Sequence, residues 1–108
     1  MPQTHKVLGQ VSPAASSLTT LYTVPGATQT VCSTISVCNL GVSATFRIAI
    51  RPAGVNLANQ HYLVYDATVN SNDSFYLTVG ISLAATDVVS VFSSTNTLAF
   101  SLFGVEIT

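Results

Sequence analysis

The chain has 108 residues, of which 6% are charged where about 25% is usual, and its formal net charge is -1. That length suits one domain with a modest core; three basic residues give no footprint for nucleic acid, and no apolar run reaches the ~18 residues of a membrane span. β-branched and aromatic residues are too frequent for disorder, and so little charge does little to keep copies apart, so an assembly that covers much of the surface is expected, the alternative being a Ser/Thr-coated monomer.

Residues 1–5 show no periodicity and read as an N-terminal arm. With Lys6 they are polar and lack the apolar region of a signal peptide, so synthesis and assembly in a cytoplasm are expected. Lys6 to Val11 is a short strand candidate, and Ser12 to Ser17 a loop by composition. Leu18 to Val24 is the next strand, closed by Pro25-Gly26 as a type II turn signal. Gln29 to Asn39 is the strand the rest is organised around. Val31, Ile35 and Val37 share one parity with Ser33; Cys32, Thr34, Ser36 and Cys38 share the other. Successive side chains of a strand face opposite ways, so the first set is predicted inside and the second outside. Asn39 and Gly41 end it as residues that tolerate positive φ.

Ala44 to Arg51 has the cleanest alternation, with Phe46, Ile48 and Ile50 on one face and Arg47, Ala49 and Arg51 on the other. A short hairpin with the preceding strand would put Phe46, Ile48 and Ile50 on the core face of Val31, Ile35 and Val37. Pro52-Ala53-Gly54 breaks it, and Val55 to Gln60 is a loop with room for one helical turn. His61 to Asp66 is a strand with bulk on both faces, buried on two sides or at an interface on one. Asn70 to Asp73 is a turn cluster. Ser74 to Gly80 is a strand with Phe75, Leu77 and Val79 inward; Ile81 to Thr86 continues it or forms a turn of helix. Asp87 to Ser93 is a strand with Val89 and Val91 opposite Val88 and Phe92, and Ser94 to Thr97 a turn. Leu98 to Thr108 is the last strand, with Gly104 at a bulge or close backbone approach. About eight short strands with Gly, Pro and Asn punctuation predict an all-β, antiparallel β-sandwich in a single domain, Ig-like or jelly-roll.

Little in the chain points to chemistry. On one straight strand Cys32 and Cys38 lie about 20 Å apart, too far for a mutual disulfide, which needs about 7 Å. They read as small, partly buried thiols, with an intermolecular bond or a metal as alternatives. Metal is disfavoured because no CxxC spacing exists and only His5 and His61 could assist. Cys32, Cys38, His61 and Asp66 are the candidates for a nucleophile or base, and none sits in a nucleophile-elbow context. Asp66, Asp73 and Asp87 read as turn residues bonding local amides. One carboxylate near Asn70 is too few for a calcium loop, and the scattered glycines make no phosphate loop. No catalytic, cofactor or metal site is expected. Arg47 and Arg51 project from one strand face about 13 Å apart. They are either solvated or paired with acidic groups of a neighbouring subunit. Tyr62, Tyr65 and Tyr76 join them as candidate interface residues, or pack in the core.

The runs Thr19-Thr20-Leu21-Tyr22-Thr23-Val24-Pro25-Gly26, Val31 to Asn39 and Thr45-Phe46-Arg47-Ile48-Ala49-Ile50-Arg51-Pro52 resemble a family of small tailed-bacteriophage virion proteins. Gln60-His61-Tyr62, Tyr65-Asp66 and Leu83 to Val88 are similar to its later stretches, so the resemblance covers nearly the whole chain. It implies a structural β-module with no catalytic pattern. The chain length suits a capsid decoration or cement protein that bridges neighbouring capsomers. Its partners would be the major capsid protein and other copies of itself, as a dimer or trimer, with no nucleic acid or membrane. It would lie on the capsid surface of the virion after assembly in the host cytoplasm. The alternative is a tail or baseplate module, structural or receptor-binding.

Overall fold

Residues 3–108 are described by a computed structural model, the side chain of Val79 excepted. Met1 and Pro2 of the expected arm, and the expected inward Val79, therefore lie outside the described residues. Eight strands follow in order: β1 (Gln3–Val11), β2 (Ser17–Thr23), β3 (Gln29–Asn39), β4 (Ala44–Arg51), β5 (Tyr62–Val69), β6 (Ser74–Leu83), β7 (Val88–Ser93) and β8 (Leu98–Ile107). Two 3-10 turns, Pro52–Gly54 and Asn59–His61, separate β4 from β5.

The strands form two four-stranded sheets, in the order β1-β8-β3-β6 and β2-β7-β4-β5. Every pairing is antiparallel. The first strand pairs with the last, the second with the seventh, the third with the sixth and the fourth with the fifth. That nesting is a long hairpin wrapped into a sandwich, a jelly-roll, which decides between the two expected topologies.

The expected hairpin between β3 and β4 does not form. These strands belong to opposite sheets, and the four residues between them cross the sandwich. Phe46 still meets the predicted core, from the opposite wall. Its ring centroid lies 5.1 Å from Phe75 and 6.1 Å from Phe100, both on the first sheet. With Ile35, Ile48, Leu98 and Leu102 these rings fill the interior. Each fully buried side chain of this size contributes about 1.5–3 kcal/mol.

The parity expected for β3 holds only beyond Ser33. The register shifts on both sides between Cys32 and Thr34: against β8, Ser33 is the extra residue of a bulge, whereas against β6 the surplus residue lies on β6. Ile35 and Val37 are buried as expected, but before the bulge Thr30 and Cys32 are buried and Val31 is 38% exposed. Gly104 meets this bulge. A Cβ built there would lie 2.2 Å from the Val31 carbonyl oxygen, so the close approach expected of it is present.

Other local expectations also shift. Gln3 to His5 are not an arm but the start of β1, opposite Ile107, Glu106 and Val105. All three are exposed, so their pairing is a backbone affair that leaves no apolar pattern. The left-handed residue of the turn after β2 is Ala27, with φ 55°, not Gly26. Ile81 to Leu83 continue β6.

Candidate interaction surfaces

Because β4 alternates, Arg47 and Arg51 lie on the outer side of the second sheet while Phe46 and Ile48 fill the core; Ala49, expected beside the arginines, is fully buried. Opposite them β5 is irregular. Between the pairs Phe46 with Ala67 and Ile48 with Val64, β4 advances two residues and β5 three. The surplus sits at Tyr65 and Asp66, and Asp66 takes φ 53°, a left-handed conformation that Asp tolerates. Asp66 is thus not the turn residue expected but an acceptor within a bulged strand.

That bulge delivers its carboxylate to Arg47. Arg47 Nε donates to Asp66 Oδ1 at 2.6 Å and Nη2 donates to Oδ2 at 3.3 Å. The guanidinium carbon also lies 4.3 Å from the Tyr65 ring centroid and 4.4 Å from that of Phe92. Stacking of this kind suits the flat, weakly hydrated guanidinium. The bond to Asp66 holds Arg47 above its ordinary basicity. The acidic partner is therefore in the same chain, where a neighbouring subunit was the expected alternative. Arg51 is also occupied: its Nε donates to Ser90 Oγ at 3.1 Å and Nη1 to the Val55 carbonyl at 3.3 Å, which ties the loop after β4 to β7.

Tyr62 pairs with the buried Ala49, and the Tyr62 and Tyr65 rings meet edge to face at 4.9 Å between centroids. Asn59, Tyr62 and Tyr65 line a shallow hollow of about 330 Å3. Four of the five predicted interface residues are thus brought to one side of the second sheet. Tyr76 is not; it projects, 66% exposed, from the first sheet. Sequence reasoning missed Phe92 and Asp66 in this cluster. The outward parity of Phe92 was a usable signal, whereas the register that brings in Asp66 had none.

The outer face of the first sheet has a different chemistry. Its rows across the strands are Gln10-Ser101-Ser36-Tyr76, Val7-Phe103-Thr34-Thr78 and His5-Val105-Val31-Ser82. None of these residues is Lys, Arg, Asp or Glu, and Val7 and Val31 are exposed large apolar groups.

The remaining candidates for chemistry serve the fold. His61, expected at a strand edge, is buried at the end of a 3-10 turn, and its Nδ1 accepts the Ala58 amide at 3.0 Å. Cys32 is buried, which pushes its thiol up to about 11, and the Ser33 bulge puts it on the face opposite the one expected. Cys32 and Cys38 are both free thiols. Asp73 accepts the Ser74 amide at 2.8 Å, and Asp87 accepts those of Ala84 and Ala53, both at 2.9 Å, as expected of turn carboxylates. Asn39 is buried, and its backbone has no positive φ. It ends β3 through its side chain, whose Nδ2 donates to the carbonyls of Val42, Val69 and Asn70.

No family model matches the chain, and no curated protein does. Among solved structures it is similar to a chain in the structure of infectious bursal disease virus, Gx strain, with a TM-score of 0.56 at 9% identity. The match takes in 97% of this chain and 32% of that one, so this chain spans about a third of the other's length. At that identity the likeness is one of fold.

Proposed function

We propose that this chain is a structural protein of a bacteriophage virion, a decoration or cement protein that binds the outside of the capsid and stabilises contacts between its subunits. The reading rests on the motif resemblance to phage virion modules and on a jelly-roll fold shared with a chain from a virus structure. The observation that carries it is the uncharged outer face of the first sheet. Docking that face strips water from hydroxyls and apolar groups but from no ion, so the desolvation cost is small. Four strands at ~4.8 Å spacing and about ten residues at ~3.3 Å span roughly 600 Å2, near the ~800 Å2 per partner of a standard interface. Tyr76, Val7 and Val31 are the anchors on this face. Each copy adds modest binding, and many copies sum across a lattice. The role is non-enzymatic, and the partners are the major capsid protein and other copies of this chain, joined after assembly in the host cytoplasm.

Particles stripped of this protein should lose resistance to heat or osmotic shock and regain it when the purified protein is added back. Val31→Asp, which places a carboxylate in the contact, should abolish the rescue. Unchanged resistance of stripped particles would sink the reading.

A further inference from the structure

We propose that the hollow lined by Asn59, Tyr62 and Tyr65 is a binding site for a neutral pyranose saccharide. It lies on the second sheet, so it does not depend on what the first sheet docks against. The rings come first. Tyr65 is 59% exposed, yet its position is fixed by Tyr62 edge-on at 4.9 Å and by Arg47 at 4.3 Å. A ligand that lies against a ring already held does not lose the entropy of ordering it. The C–H face of a pyranose is flat and apolar, and Tyr offers an apolar body with a polar tip.

The polar groups match a polyol. The Asn59 amide both donates and accepts, and each phenol does the same. Asp66 and Arg47 are bonded to each other beside Tyr65 and are not among the residues that line the hollow. Asn59 and the two phenols thus supply the donors and acceptors that neighbouring hydroxyls require. The charge selects among sugars. Arg47 and Asp66 cancel each other, and Arg51 is committed to Ser90 and Val55, so nothing rewards a phosphate, sulfate or carboxylate. Size narrows the class further. At about 330 Å3 the hollow is at the small end of ligand sites, room for one or two rings. Its openness implies weak binding per copy, raised by multivalency when copies are arrayed.

The test is saturation-transfer NMR on the purified full chain. The probes are the methyl glycosides of glucose, galactose, mannose and N-acetylglucosamine, with N-acetylneuraminic acid as the charged comparison. Each is used at about 10 mM, above the ~1 mM dissociation constant of a weak site. At least one neutral glycoside should receive saturation at its ring C–H protons and shift amides around Tyr62–Ala67. Tyr65→Ala should weaken it about three- to tenfold, the loss of one stacked ring. Asn59→Ala, in the loop, is the second variant should Tyr65→Ala fail to fold, and it should weaken binding too. Tyr76→Ala, on the other sheet, should bind as the parent does. No transfer to any neutral glycoside, preference for the charged sugar, or equal loss in Tyr76→Ala overturns the proposal. So does an inert hollow whose Tyr65→Ala variant detaches from virions, because the surface is then a protein contact.

Discussion

The hydroxyl of Tyr22 on β2 lies 2.5 Å from Glu106 Oε2 on β8, a hydrogen bond from one sheet to the other. Glu106 Oε1 accepts from Lys6 Nζ at 3.0 Å, and the Tyr22 oxygen is 2.9 Å from Thr30 Oγ1. Three strands of the first sheet and one of the second thus meet at one half-buried polar cluster. The bonds from Tyr22 and Lys6 favour the carboxylate and hold Glu106 below its ordinary value. Burial, then Glu106, pushes Tyr22 up to about 12.

Both shifts make stability depend on pH, with opposite signs. Glu106 binds its proton less readily when folded, so its contribution is present above its unfolded pKa of about 4.3 and is lost as pH falls through the folded value. Glu106→Gln should flatten the acid limb of a melting temperature against pH curve. Tyr22 ionises less readily when folded, so its contribution is intact below pH 10 and is lost as pH rises towards 12. Tyr22→Phe should remove that alkaline loss. At neutral pH it should cost about 1.5–3 kcal/mol, the range for a hydrogen bond to a charged group.

Asn39 should rank its substitutions in an order that size alone does not give. Its Nδ2 serves three carbonyls, and Oδ1 accepts Gly41 N and Thr97 Oγ1, both at 3.0 Å. Asn39→Ala leaves these groups to find water and should cost about 3 kcal/mol. Asn39→Asp sets a carboxylate oxygen against carbonyl oxygens and should cost more at neutral pH. Urea unfolding of the three proteins decides it, and an Asp variant more stable than the Ala variant would refute the network.

Gly104→Ala should be among the most damaging single-methyl additions to the chain. The new Cβ would lie 2.2 Å from Val31 O and 3.0 Å from Cys32 Cα, backbone atoms that cannot swing away. A loss of about 4 kcal/mol or more is expected, the range of exceptional substitutions. Gly26→Ala has open space and no positive φ, so it should stay within about 0.5 kcal/mol of the parent.

Thr86 has φ 71°, an outlier for a β-branched residue. Its amide donates to Val24 O at 3.1 Å, which holds the turn in place. Thr86→Asn keeps that bond and suits the left-handed region, so it should stabilise by about 1 kcal/mol. A rise in melting temperature is the readout.

The thiols should react in a fixed order. Cys32 is fully buried and pushed up to about 11, whereas Cys38 is partly exposed. Iodoacetamide should label Cys38 in the native protein and Cys32 only on unfolding, which mass spectrometry resolves.

These features were unequally legible in the sequence. The bounds of β3 and β4 were, because turn residues flank both and β4 alternates cleanly. Val31 was misplaced because a bulge adds one residue without any compositional mark, and everything on its N-terminal side changes face. The β3–β4 hairpin was misplaced because a four-residue connection can turn within a sheet or cross to the facing one. Phe46 reaches the same core either way, so the apolar pattern does not discriminate. Arg47 was identified but its partner was not, since 19 residues separate it from Asp66 and their meeting depends on a second bulge. Asn39 was given the right place and the wrong reason: its side chain, not its backbone, is what the position uses.

The pairing of β1 with β8 sets an order of events during synthesis. β1 leaves the ribosome with its neighbour still unmade, and the sheet it belongs to stays open until β8 emerges. Completion of the first sheet is therefore expected after translation of β8 and at the slow end for a chain this size, since distant segments must be brought together. Held on the ribosome by a long flexible linker, a chain that stops before Leu98 should be digested by protease along its exposed length, while one that includes β8 should resist.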